Sequence, residues 1–139
     1  MKAVLTLEKN MKFIGKTPKG HETVFDTVPA VGGDDTATPP MEVMLQSLAG
    51  CTAMDVVSIL RKKRVQIDKF WVEVEGERGD QHPKMFTKVH LVYNLVTPNG
   101  EEKDLIRSVD LSQNKYCGAS AMFKAAGCEI TYETKVIKS

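Results

Sequence analysis

Three cysteines, Cys51, Cys117 and Cys128, are the residues of this sequence best equipped for chemistry. A thiolate is a strong nucleophile, and a second thiol within reach turns its oxidised form into a disulfide. Cys51 lies in the run Leu48-Ala49-Gly50-Cys51-Thr52-Ala53, and Cys117 is followed by Gly118-Ala119-Ser120-Ala121. Small residues let helices approach closely, so two thiols on such faces could meet if the helices pack together. The plain alternative is that both are small core hydrophobes, and spacing leaves the two readings open. Cys128 opens the last strand and reads as a packed thiol. Gly50 costs about 1 kcal/mol against Ala inside a helix, which predicts close approach of another backbone or of a ligand. Cys117 falls in the opening turns of the last helix, where the helix N-terminus favours a thiolate. Asp55 is one turn after Cys51 and shares its face. A bare carboxylate there raises a thiol pKa, so Asp55 is expected to pair with a Lys or Arg, or to cap a neighbouring element.

Other chemistries find little support. There is no Gly-x-Ser-x-Gly elbow, no Cys-x-x-Cys and no His-x-x-x-His pair, and Gly32-Gly33 lacks the Lys-Ser/Thr of a phosphate loop. His21, His82 and His90 lie on three separate segments, so no metal site is expected.

The elements that must position these residues follow from the hydrophobic pattern. Residues 1–27 read as a meander of three short strands, turned at Asn10 and at Thr17-Pro18-Lys19-Gly20. Residues 28–40 hold two Gly, three Pro and two Asp and read as a long loop. Thr38 is a plausible N-cap for a helix from about Pro40 to Lys63, which is apolar over most of its circumference and therefore expected to be central and buried. Arg61-Lys62-Lys63-Arg64 closes it, as cations favour a helix C-terminus. Two strands follow, with Met85, Val89, Leu91, Tyr93 and Leu95 on one face of the second. Then come a short helix over about Glu101–Leu111, a last helix over about Gln113–Ala126 capped by Ser112, and a strand over Glu129–Ile137. The order β-β-β-α-β-β-α-α-β predicts an α+β fold with a mostly antiparallel sheet.

The chain has 139 residues, which fits one domain spanning 1–139. With 19 Lys and Arg against 18 Asp and Glu, the net charge of +1 gives no general attraction to nucleic acid or to a membrane surface. No apolar run is read as approaching the roughly 18–20 residues of a membrane span, and Met1–Glu8 does not resemble a signal peptide. The expected location is cytoplasmic, where three cysteines do not make a structural disulfide framework.

Pro39-Pro40-Met41-Glu42, the stretch Leu48–Val57 around Cys51, and Lys115-Tyr116-Cys117 opening a small-residue helix together resemble the OsmC/Ohr family, the osmotically inducible and organic hydroperoxide resistance proteins. The resemblance covers nearly the whole chain and is strongest to the YhfA-like branch. It implies antiparallel sheets packed around a long central helix, in an intertwined homodimer. It also implies a thiol-dependent peroxidase for oxidative stress defence, with Cys51 peroxidatic and Cys117 resolving. Such an enzyme needs no metal, haem or flavin, reduces small organic hydroperoxides, and is regenerated by an external dithiol of lipoyl or thioredoxin type. The family's peroxidases place an Arg from the N-terminal hairpins near the thiolate; here no Arg precedes Arg61, and Lys16 is the nearest cation to that position. They also carry a Glu ten residues before the reactive cysteine, where this chain has Met41, with Glu42 next to it. Met41, Met44, Leu45 and Leu48 before Cys51, with Met122 and Phe123 after Cys117, are the expected apolar lining for substrate. The alternative function is a non-enzymatic dimeric binding module for a small hydrophobic molecule, with redox-sensing or passive cysteines.

Overall fold

Turn chemistry builds the N-terminal meander. Asn10 takes φ 54° between β1 (Val4–Lys9) and β2 (Lys12–Lys16), and its amide Nδ2 donates to the Gly32 carbonyl at 2.7 Å. Gly20, at φ 87°, donates to Thr17 O at 2.9 Å and leads into β3 (Glu22–Phe25). The three strands pair antiparallel in the order β1-β2-β3, with Ile14 opposite Thr6 on one side and Val24 on the other. The computed structural model describes every residue, Met1–Ser139, and divides it into two compact units, Met1–Met44 and Leu45–Ser139.

In the first unit the loop after β3 is organised by one carboxylate. Asp26 is 2% exposed and accepts from the Thr36 hydroxyl at 2.6 Å and from the backbone N–H groups of Thr36 and Thr27 at 3.0 and 2.8 Å. These donors, the Thr36 hydroxyl first, hold its carboxyl down at about 2. Gly33 is required here, because a Cβ on it would stand 1.9 Å from Thr27 O.

Helix α1 (Pro40–Lys62) starts in the first unit and continues into the second. The Pro39 carbonyl, not a Thr38 side chain, receives the first helical N–H groups, those of Glu42 and Val43, while Thr38 bridges to Phe25. At the other end Arg64 takes φ 60° and Val65 N–H reaches back to Leu60 O, a left-handed stop made without glycine. By length and composition α1 could cross a bilayer, which corrects the expectation that no apolar run is long enough. Nor is it buried all round: only the stripe Leu48, Ala49, Thr52, Val56 and Leu60 is buried, and Met54 on the other side is 76% exposed.

The second unit also carries a three-stranded sheet, in the order β4-β5-β6, from β4 (Lys69–Arg78), β5 (Phe86–Thr97) and β6 (Glu129–Lys138). β4 and β5 are antiparallel, but β6 runs parallel to β5, so this sheet is mixed rather than antiparallel throughout. The connection permits this: two helices intervene between β5 and β6, a crossover long enough for the chain to return in the same direction. Val89, Leu91, Tyr93 and Leu95 face the core, as alternation predicts. Met85 does not: an irregularity between Glu77 and Arg78 shifts the register, so Phe86 is buried and Met85 exposed. Phe86 stacks on Phe123 with ring centroids 5.6 Å apart, and it approaches Gly76, where a Cβ would stand 2.8 Å from its ring. Helix α2 (Glu102–Leu111) opens with a capping box between Glu101 and Asp104, and Asp104 also holds Lys63 at 3.2 Å.

Candidate active site: a thiol pair beside a chain of buried hydroxyls

The sequence reading places Cys117 inside a helix starting near Gln113. The chain instead continues α2 as a π-helical turn over Ser112–Tyr116, breaks at Cys117 with φ −73° and ψ 103°, and restarts as α3 (Gly118–Ala125). Cys117 is the N-cap of α3. Its Sγ accepts from Ser120 N–H at 3.3 Å, the place a Ser or Asp oxygen usually occupies. Ser112 is therefore not the N-cap of the last helix but the C-cap of α2, and its hydroxyl is spent elsewhere.

Cys51, mid-way along α1, is half-buried, and Cys117 is 4% exposed; both are free thiols. The structure brings them near one another: Cys51 is close enough to raise the pKa of the Cys117 thiol. The expected thiolate character of Cys117 is not the net result. Burial pushes its pKa up, Cys51 adds to the rise, and Ser120 opposes it. The Ser120 hydroxyl is fully buried and makes no well-formed hydrogen bond, yet it lies close enough to Cys117 for its dipole to favour the charged form. Cys128 is buried as well, raised by burial and by Glu129, and its Sγ lies 3.8 Å from the Glu129 carbonyl.

Beside the thiols lies a group of buried polar side chains that the sequence reading did not single out. Thr52, next to Cys51, puts its hydroxyl 2.8 Å from Tyr93 OH and 2.8 Å from Ser112 Oγ. The Gln113 amide donates to Tyr93 OH at 2.8 Å and to Thr52 Oγ1 at 3.3 Å. Ser112 donates to Asp55 Oδ2 at 2.9 Å. Thr52, Tyr93 and Ser112 are all fully buried. Of the two expectations for Asp55, a Lys or Arg partner or the capping of a neighbouring element, the first is not met: Asp55 accepts from a serine hydroxyl in the turn before Cys117. Burial is also what pushes Tyr93 up to about 12, and the charge of Cys117 contributes to that rise. The network ties the stretch of α1 that carries Cys51 to the turn that leads into Cys117. Its legible traces in the sequence were two polar residues, Thr52 and Asp55, in an otherwise apolar helical stripe.

Of the two reasons expected for Gly50, no other backbone of this chain crowds it: a Cβ there would meet nothing within 4 Å, and the same holds at Gly118. The small residues thus leave open space beside each thiol within this chain. Lys16 pairs with Glu22 at 3.0 Å, and Glu42 is exposed in the first turn of α1; both belong to the first unit, as do Met41 and Met44. Of the remaining expected lining, Leu48 and Phe123 are core residues in this chain, Leu45 is half-buried and Met122 is 76% exposed.

Comparison with known proteins gives a consistent picture. Residues 32–133 match the family described as OsmC-like protein. The chain is 32% identical over 137 residues to Protein YhfA of Escherichia coli strain K12, covering 99% of this chain and 98% of that one. It is also similar to a solved structure of a hypothetical protein from Aquifex aeolicus VF5, at 32% identity and a TM-score of 0.81, over 98% of this chain and 96% of the other. An organic hydroperoxide resistance protein OsmC from Legionella pneumophila shares the fold at a TM-score of 0.71 and 13% identity, over 98% of both chains.

Proposed function

This chain belongs to the OsmC-like protein family, and from that premise we propose that it is a cysteine-based peroxidase that reduces organic hydroperoxides in the cytoplasm. Family membership supports a hydroperoxide-related role in general. What carries the specific reading is the interacting pair of free thiols, Cys51 half-buried and Cys117 buried. Cys51, as thiolate, attacks a peroxide oxygen; the O–O bond breaks, an alcohol leaves, and Cys51 becomes a sulfenic acid. Cys117 then displaces hydroxide from that sulfur to form a disulfide, and an external dithiol restores both thiols by exchange. No cofactor takes part. A second copy of the chain completes the protein as a homodimer: α1 keeps Met54 76% exposed beside Ala53 and Val57, an apolar face that a partner helix would cover. Light scattering at micromolar concentration should give about twice 15.4 kDa.

The organic group is what favours bulky peroxides over hydrogen peroxide. An alkyl or aryl tail that buries apolar surface gains roughly 25 cal/mol per Å², or about 1.5–3 kcal/mol in all, which is about 10- to 150-fold in kcat/KM. Consumption of cumene hydroperoxide with a dithiol present tests the reading. Turnover with a clear preference over hydrogen peroxide supports it. No consumption, with both thiols still reduced, overturns it and favours a binding module for a small hydrophobic molecule.

A further inference from the structure

Cys51 and Cys117 lie on separate segments of the chain, and one residue, Ser112, is bonded to both segments. Its side chain is held by α1: Ser112 Oγ donates to Asp55 Oδ2 at 2.9 Å and lies 2.8 Å from Thr52 Oγ1 and 3.5 Å from the Thr52 carbonyl oxygen. Its main chain holds the other cysteine: Cys117 N–H donates to Ser112 O at 2.8 Å, closing the π turn. Thr52 follows Cys51 directly, so the route from one cysteine to the other crosses a single side-chain hydrogen bond, between Thr52 and Ser112. Gln113 doubles that link, its amide donating to Thr52 Oγ1 at 3.3 Å and to Tyr93 OH on β5 at 2.8 Å. Beyond the break, Lys124 of α3 donates to Gln113 O at 2.7 Å and Ser120 N–H to Cys117 Sγ at 3.3 Å, so Cys117 is held from both sides. Thr52 and Ser112 are fully buried in a core that is otherwise mostly apolar. A Val and an Ala would fill those positions; a buried hydroxyl pair adds a fixed register between the two segments, which packing alone does not. Single π turns recur at functional sites for the same reason: they re-aim the residue that follows.

We propose that Thr52 and Ser112 are positioning residues for the thiol pair: their buried hydrogen bond holds Cys117 within reach of Cys51 before the two sulfurs are joined. The inference rests on the Cys51–Cys117 pairing of the preceding section. In the dithiol form no covalent bond ties α1 to the π turn, so without the hydroxyl bond the two thiols sample many separations. In the disulfide form the S–S bond does the tying itself. The hydroxyl bond therefore acts mainly on the dithiol, removing in advance the freedom that disulfide closure must otherwise remove. Its effect is on the effective concentration of one thiol at the other, not on the reactivity of either sulfur. Donor accounting says which change breaks it. Asp55 takes the only Ser112 hydroxyl proton, which leaves Ser112 Oγ as acceptor and Thr52 as donor. Val at position 52 keeps the shape and loses the donor, whereas Ser keeps the donor and loses a methyl.

Equilibration with reduced and oxidised glutathione reads the effective concentration without a peroxide. The Cys51 thiolate attacks one sulfur of oxidised glutathione and releases one glutathione thiolate; Cys117 then attacks the Cys51 sulfur and releases the second. The two cysteine protons end on the two glutathiones, so one protein dithiol and one oxidised glutathione give one protein disulfide and two reduced glutathiones. Acid quenching, alkylation and peptide mass give the fraction of Cys51–Cys117 disulfide at each glutathione ratio. Thr52→Val and Ser112→Ala should each lower the effective concentration at least about tenfold, a potential about 30 mV less negative. The double variant should fall little further, because both changes remove the same bond. Thr52→Ser keeps the donor and should stay within about threefold of the unaltered protein. Leu60→Val, which loosens the core further along α1, should lower thermal stability and leave the effective concentration within about twofold. A drop of less than tenfold in both Thr52→Val and Ser112→Ala would overturn the positioning role, as would an equal drop in Thr52→Ser or Leu60→Val. If one of the first two variants does not fold, the other decides. Failure of cumene hydroperoxide reduction with these values as expected counts against the peroxidase reading alone. If the unaltered protein forms no Cys51–Cys117 disulfide at any ratio, the pairing and the positioning role fall together.

Discussion

Cys51 and Cys117 have neighbours of the same kind, yet their surroundings differ. Cys51 sits in an unbroken helix, half-buried, with open space at Gly50 beside it. Cys117 sits where a π-helical turn ends and a new helix begins, buried, with its sulfur serving as a helix cap and its pKa pushed up by burial. A thiol that must meet an external oxidant needs access. A thiol that must meet only the first thiol needs proximity and a way to lose its proton. On the proposed peroxidase reading the difference suits Cys51 to the first role and Cys117 to the second, while Cys128 is buried, with its N–H on Phe123 O and its Sγ 3.8 Å from the Glu129 carbonyl.

The sharpest way to break that comparison is to remove each thiol. Cys51→Ser should abolish hydroperoxide turnover. Cys117→Ser should allow one oxidation per chain, leaving a sulfenic acid that dimedone traps or that runs on to sulfinic acid. Cys128→Ser should keep near-normal turnover, and a dead Cys128→Ser enzyme would invalidate the assignment. Next in size is the polar clamp between the two thiol-bearing segments. Thr52→Val strips Tyr93, Ser112 and Gln113 of a shared buried partner and should cost about 1–3 kcal/mol in urea unfolding. A smaller and pH-resolved effect comes from Tyr93. Its folded pKa of about 12 lies above the ordinary 10.0, so its contribution to stability is complete below pH 10 and is lost as pH rises through about 12. Tyr93→Phe should lessen the loss of stability over that window, and thermal melts at pH 9 to 12 check it. The smallest effect sharpens the comparison from the open side. Gly50→Ala adds a methyl where nothing stands within 4 Å, so it should raise stability by up to about 1 kcal/mol. If that space admits substrate, the same variant should raise KM for cumene hydroperoxide.

The sequence made the frame legible because the frame rests on local patterns. Alternation exposed the strands, Asn10 and Gly20 marked their turns, and the apolar stretch after Pro39-Pro40 marked α1 to within a residue. The family motif around Cys51 and Cys117 was legible for the same reason. What stayed hidden depends on contacts between distant segments. The parallel pairing of β6 follows from how a crossover docks, not from the residues of β6. The break at Cys117 follows from Ser112 and Gln113 turning inward to bond Thr52 and Tyr93, which keeps the helix in a π turn rather than starting a new one. Ser112 reads as an N-cap in sequence because caps are where serine is commonest; a buried Asp55–Ser112–Thr52 chain needs three segments to meet before it exists.

The central claim is that Cys51 and Cys117 act as one redox pair. The most direct test treats the fully reduced protein with one equivalent of cumene hydroperoxide, alkylates the remaining thiols and maps every cysteine by peptide mass. The account predicts a Cys51–Cys117 disulfide with Cys128 alkylated. Alkylation of all three cysteines, or a disulfide that includes Cys128, would contradict it.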